Sequence, residues 1–224
     1  MANLSTTSYA ILGLLSLQSW TTYELAEQMR RSLGRFWPRA ESGIYVEPKK
    51  LVDAGYATVE TEYVGQRARQ RYTITPAGRK ALKQWVPTPS AAPQVEFEAL
   101  IKVFFAERGT RADLLATLRT VKRDNEDQAA AGQSIPHDYL ERRGNYPERL
   151  AWNILVGTFI DEWQQLLDRW TSWAIGEVEQ WPDDIRDAEP SWDALQRQAE
   201  HGDQFAARVA ARADDARSAN ESTT

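Results

Sequence analysis

Residues 41–78 read ESGIYVEPKKLVDAGYATVETEYVGQRARQRYTITPAG. The spacing predicts a helix from Glu41 or Ser42 to Ala54, with Gly55 as its stop. Ala57, Val59, Thr61 and Tyr63 then alternate with Thr58, Glu60 and Glu62, the pattern of a half-buried strand. A second strand is expected over residues 71–75, with Tyr72 and Ile74 on one face. The connection, residues 65–70, contains Arg67 and Arg69, and Arg71 follows it. Pro76 opens a further helix ending near Trp85, since proline suits a first helical turn.

Upstream lie two more helices. Residues 5–18 place Tyr9, Ile11, Leu12, Leu14 and Leu15 at helical spacing. Thr21 followed by Glu24 fits a capping box, and that helix runs to about Leu33 with Gly34 at its end. Three helices and then a hairpin with a basic tip is the order of a winged helix-turn-helix. A major groove admits one α-helix, and a basic hairpin can lie along phosphates that fix register.

Charge sharpens this reading. The 224 residues carry a net charge of -5. Residues 1–90 hold twelve Lys and Arg against seven Asp and Glu, a balance of +5; residues 91–224 hold fifteen against twenty-five, a balance of -10. That split suggests a basic module for a polyanion and an acidic module with another task, against the plainer reading of uneven surface decoration. Cysteine is absent and only His137 and His201 are present, which excludes thiol chemistry and leaves little for a metal site or a His-based triad. With no P-loop and no G-x-S-x-G either, no enzyme, metal or cofactor is expected. The apolar run at residues 10–15 is too short for a membrane span and no basic segment precedes it, so a cytoplasmic protein is expected.

Three prolines in residues 87–93 read as a linker. The expected organisation is a DNA-binding domain at 1–86, the linker at 87–93, a helical domain at 94–181, and an acidic connector with a helical tail at 182–224. Residues 113–131 carry an apolar stripe of Leu114, Leu115, Leu118 and Val121, and residues 132–147 read as a loop or short helices. Residues 150–173 are long and one-sided: Leu150, Ile154, Leu155, Phe159, Trp163, Leu166, Leu167, Trp170 and Trp173. So much aromatic area is hard to bury in about 90 residues, and a partner chain solves this. Six of the nine tryptophans fall between positions 152 and 192. Trp152, Phe159, Trp163 and Trp170 are candidates to stack a flat aromatic ligand, against the plainer reading of core and interface aromatics. The tail, residues 191–213, is Ala-rich with Trp192, Leu195, Phe205 and Val209 as anchors.

The residues also resemble a known family. Residues 6–15 (TTSYAILGLL), Thr22-Tyr23-Glu24-Leu25, Ser42-Gly43-Ile44-Tyr45, Lys49-Lys50-Leu51-Val52-Asp53-Ala54-Gly55 and residues 67–78 (RARQRYTITPAG) are similar to PadR-type transcriptional regulators. Residues 97–105 and about 146–181 resemble the C-terminal helical domain of the longer members. The resemblance implies a mainly α protein with a small β-hairpin wing: an N-terminal winged helix-turn-helix plus a C-terminal antiparallel, coiled-coil-like dimerisation domain. It implies a homodimeric repressor on a palindromic DNA operator, responsive to phenolic acids or other aromatic molecules. The candidate DNA contacts are Tyr23, Ser42, Tyr45, Lys49 and Lys50, with Arg67, Arg69 and Arg71 on the wing. A winged-helix protein-interaction module without DNA affinity is the alternative. One departure stands out: the family commonly has Tyr-Pro-x-Leu in the third helix, whereas this chain has Tyr45-Val46-Glu47-Pro48. An interior proline costs about 3 kcal/mol, so a late helix start, a 3₁₀ first turn or a kink is expected at residues 44–47.

Overall fold

The structure, a computed structural model, describes residues 4–37 and 43–221. The chain divides into two compact units, Met1–Val95 and Glu96–Thr224. It is mainly helical, with one small antiparallel sheet.

In the first unit, α1 (Thr6–Leu15) is capped by Ser5, whose hydroxyl accepts from the Ser8 N–H, and it buries Ile11, Leu12, Leu14 and Leu15. A two-residue strand β1 (Trp20–Thr21) leads into α2 (Thr22–Ser32), which begins with the reciprocal Thr21–Glu24 capping box. Beyond α2, the Gly34 N–H donates to Met29 O, and a Cβ at Gly34 would lie 2.6 Å from the Arg30 carbonyl. That close approach is what the glycine permits.

The third helix is interrupted ahead of Pro48, since Gly43 is helical and residues 44–46 are not. Residues 44–46 form a turn in which the Val46 N–H donates to Gly43 O, three residues back. The α-helix proper, α3 (Glu47–Asp53), opens with Pro48 in its first turn, where a missing N–H costs nothing. The break at residues 44–46, with the α-helix resuming at Glu47, falls where the interior proline was expected to disturb the helix. At its far end Gly55 (φ +75°) closes a Schellman motif: the Tyr56 N–H donates to Leu51 O at 2.8 Å and the Gly55 N–H to Val52 O at 2.9 Å.

Strand β2 (Ala57–Val64) pairs antiparallel with β3 (Arg67–Ile74), and β1 pairs on the other side of β3. The hairpin is longer than its hydrophobic pattern suggested. Pairing continues to Val64↔Arg67, so the connection is Gly65-Gln66 rather than residues 65–70. Gly65 holds φ +63° and Gln66 does not share that sign, the pattern of a type II′ turn whose twist suits two antiparallel strands. The distal half escaped the pattern because residues 67–70 are exposed on both faces. Helix α4 (Pro76–Trp85) is capped by Thr75, and Gly78 within it is buried where a Cβ would meet Tyr56 O at 2.1 Å. The core joins Ile11, Leu12 and Leu15 of α1 to Leu25 and Met29 of α2, Leu51 of α3, and Tyr72 and Ile74 of β3. Tyr9 stacks on Trp85 at 4.7 Å. Residues 89–97 carry no regular element.

The second unit contains α5 (Glu98–Phe104), α6 (Arg111–Gly132), α7 (Ser134–Leu140), α8 (Leu150–Glu179) and α9 (Trp192–Glu221). Helices α6 and α8 run antiparallel. The Arg111 guanidinium donates to Trp181 O at one end and the Asn125 amide to Gln164 O at the other, with the Arg119–Glu179 and Lys122–Asp168 ion pairs between. Leu114 and Leu118 pack against Ala174 and Val178, flanked by Val103, Trp170 and Trp181.

Candidate nucleic-acid interface

Two groups of the expected contact residues emerge, each organised around a glutamate. The first joins the wing to α2. Glu24 receives the Thr21 N–H at 2.7 Å, and Arg71 reaches it from β3 at 3.4 Å. Arg71 also donates Nε to Glu62 at 2.5 Å and an Nη to Ser19 O at 3.1 Å. The backbone hydrogen bond from Thr21, with Arg71 and Arg69 adding attraction, outweighs partial burial and holds the Glu24 carboxyl below its ordinary value. The Glu62 hydrogen bond likewise raises Arg71. Arg71, expected as a DNA contact, is thus half-buried and occupied in fastening β3 to the start of α2.

Arg67 and Arg69 differ from it although all three alternate along one strand face. Both are exposed, and neither makes an ion pair or a side-chain hydrogen bond among the described residues. Their guanidiniums stand at the end of the hairpin ready for an outside anion. Tyr23, beside Glu24, is 78% exposed.

The second group gathers at α3. Tyr45 is 65% exposed in the turn before the helix, and Lys49 is exposed in the first turn. Because the helix begins only at Glu47, Tyr45 and Lys49 do not share a regular helix face as their spacing suggested. Lys50 is exposed but donates to Glu47 at 2.7 Å. Glu47 is buried and accepts hydroxyl hydrogen bonds from Ser5, at 3.0 Å, and from Ser8. Burial pushes its carboxyl up, but donation from Lys50, Ser8 and Ser5 wins and leaves it below the ordinary glutamate value. Nothing in the local sequence pattern announces this cluster, because Ser5 and Glu47 are 42 positions apart. Ser42 lies outside the described residues. Trp37 packs on the core and its indole donates to Thr7, so this part of the loop after α2 is fastened to the domain.

The candidate ligand aromatics all sit on α8. Trp152 and Phe159 are exposed, Trp163 is half-buried, and Trp170 meets Phe97 edge-on at 6.0 Å. From residue 152 to 170 the helix rises about 27 Å. Within one chain the four therefore do not enclose a common ring-sized pocket by themselves. Two clefts in this unit, one along residues 107–110 and 183–186 and one beneath Ile101 and Phe105, include none of them. No described helix is long and apolar enough to cross a membrane, and no cluster of metal-ligating side chains occurs among the described residues.

Comparison with known proteins places this geometry. The model of the transcriptional regulator PadR-like family matches residues 11–84. The negative transcriptional regulator PadR of Bacillus subtilis is 35% identical over 99 residues, 43% of this chain and 54% of that protein, so the match spans about half of that relative. Among solved structures, Bacillus subtilis PadR in complex with operator DNA superposes with a TM-score of 0.61 at 24% identity, covering 78% of this chain and 99% of that one. The same protein in complex with p-coumaric acid gives 0.58 at 24% identity, covering 79% and 100%. Residues 11–84, folded as a winged helix with a basic hairpin, are a domain of the PadR-like transcriptional regulator family.

Proposed function

We propose that the chain is a sequence-specific DNA-binding transcriptional regulator, a homodimeric repressor of a palindromic operator that a small aromatic or phenolic effector releases. The observation that carries the reading is the contrast along β3: Arg71 is spent inside the fold, whereas Arg67 and Arg69 stand exposed with no ion pair or side-chain hydrogen bond among the described residues. In a PadR-like domain such cations suit phosphates flanking the groove that α3 enters, and phosphate contacts position a protein on the duplex. Tyr45 and Lys49, with Ser42 ahead of them, would meet the groove. Tyr23 would meet the backbone, and Lys50 would approach DNA while held by its bond to Glu47. The deciding experiment is fluorescence anisotropy on DNA upstream of the chain's own gene and on unrelated DNA, across a salt series. Salt-dependent discrimination supports the reading. Absence of any binding returns the domain to a protein-interaction role.

The homodimer rests on α8. Trp152, Val156, Phe159, Leu166 and Trp173 follow one another at steps of four, three, seven and seven residues, and all are exposed. Helix α9 adds exposed Trp192, Leu195, Phe205 and Val209. A second copy of the chain would cover these stripes, and a two-fold pair of winged helices would suit half-sites about 34 Å apart. Light scattering should give twice the 25.5 kDa chain mass, and Trp152→Ala with Phe159→Ala should move it toward one. The effector reading takes support from the p-coumaric acid complex of the Bacillus subtilis neighbour. A ligand that favours one spacing of the two winged helices would shift the population away from the DNA-bound form. Quenching of tryptophan emission by p-coumaric acid, with loss of DNA binding, is the matching test.

A further inference from the structure

The start of α3 has no local anchor. Val46 occupies the N-cap without a side-chain hydrogen bond, and Pro48 contributes no N–H to be capped. What restrains this end is a contact across the fold. The Glu47 carboxylate leaves the first residue of α3 and lies against the first turn of α1, where Ser5 and Ser8 both donate to Oε2 while Lys50 donates to Oε1. The packing there is close: a Cβ at Gly43 would sit 3.0 Å from Thr7 Cγ2 and 3.2 Å from Glu47 Cγ. Ile44 is buried on one side of the turn, Glu47 and Pro48 on the other, and Tyr45 projects outward between them.

We infer that Glu47 is the positioning residue of the recognition helix, clamping its first turn to α1 and holding Lys50, so that discrimination between DNA sequences depends on a side chain that DNA does not reach. This rests on the DNA-binding reading above. Two consequences follow from the geometry. First, Tyr45 and Lys49 lie two residues to either side of Glu47, so a looser clamp moves both relative to the groove. A buried anion with three hydrogen-bonded donors is a stiff restraint, because charge-assisted hydrogen bonds are the strong ones. Second, the clamp keeps the Lys50 ammonium turned toward Glu47. Freed, it becomes a mobile cation that favours any phosphate equally.

The test uses the full chain. Glu47→Gln keeps length and one acceptor oxygen but removes the charge that holds Lys50. Its affinity for the upstream fragment should fall about tenfold while affinity for unrelated DNA of equal length stays or rises. Amide hydrogen exchange over residues 44–50 should quicken, with only a modest fall in melting temperature at neutral pH. Ser8→Ala, which leaves the Ser5 cap of α1 in place, should act in the same direction and serves if Glu47→Gln does not fold. Parent-like discrimination in a variant would overturn the inference. So would equal losses on both DNAs together with a collapsed melting temperature, which mark a merely structural role. If the parent itself fails to discriminate, the DNA reading falls, and exchange over residues 44–50 still decides whether the clamp exists: unchanged exchange in both variants refutes it.

Discussion

Replacing Arg67 and Arg69 together with alanine removes the two exposed wing cations that make no ion pair or side-chain hydrogen bond among the described residues. If each neutralises one phosphate, a dimer loses four such contacts. Each contributes about 0.9 to the slope of log K against log salt on B-DNA. The double variant should therefore flatten that slope by about 3.6 units, so that the fourfold step from about 50 to about 200 mM salt costs it about 10²-fold less affinity than it costs the parent. Because both side chains are exposed on the distal hairpin and make no ion pair there, the melting temperature should hold. The assay is anisotropy on the upstream fragment at five or more salt concentrations. A slope equal to the parent's, whatever the absolute affinity, would remove the wing from the interface and refute the reasoning.

Arg71→Met makes the opposite signature: loss of the bonds to Glu62, Glu24 and Ser19 should cost about 1 kcal/mol, discounted for partial exposure, and lower the urea midpoint while leaving the salt slope near the parent's. Gly78→Ala forces a methyl to within 2.1 Å of the Tyr56 carbonyl and should cost about 1–3 kcal/mol or more, read as a fall in denaturation midpoint at constant m-value. Glu24 and Glu47 both have carboxyls held below their ordinary 4.5. A depressed folded pKa gives stability that is present above the unfolded value and lost as pH falls through the folded one, so melting temperature should drop as pH is taken below about 4.5, and Glu47→Gln should blunt that drop.

Much of the winged helix could be read from local pattern because local chemistry builds it. Thr21 and Glu24 sit three apart and do cap α2, and Tyr72 and Ile74 share a face and are buried. Pro48 in place of an apolar residue correctly announced the break ahead of α3. The misreadings share a different cause. The outer hairpin is wet on both faces, so no hydrophobic alternation marked its pairing out to Arg67. The three wing arginines look alike in sequence, and only the tertiary approach of Glu24 and Ser19 separates Arg71 from the other two. Glu47 is tied to Ser5 and Ser8 from the opposite end of the domain, a partnership that no window of neighbouring residues contains.

The brevity of α3 limits how much a half-site can say. Seven residues rise about 10 Å, and at 3.4 Å per base pair that length faces about three base pairs. For a chain that reads DNA through this helix, direct contacts alone would define a short word, too common in a genome to mark one promoter. The remaining information would have to come from the second copy's identical word, from the fixed distance between the two, and from the groove shape that the hairpins require. Operators for such a protein should therefore tolerate substitution within a half-site better than insertion or deletion of a single base pair between them.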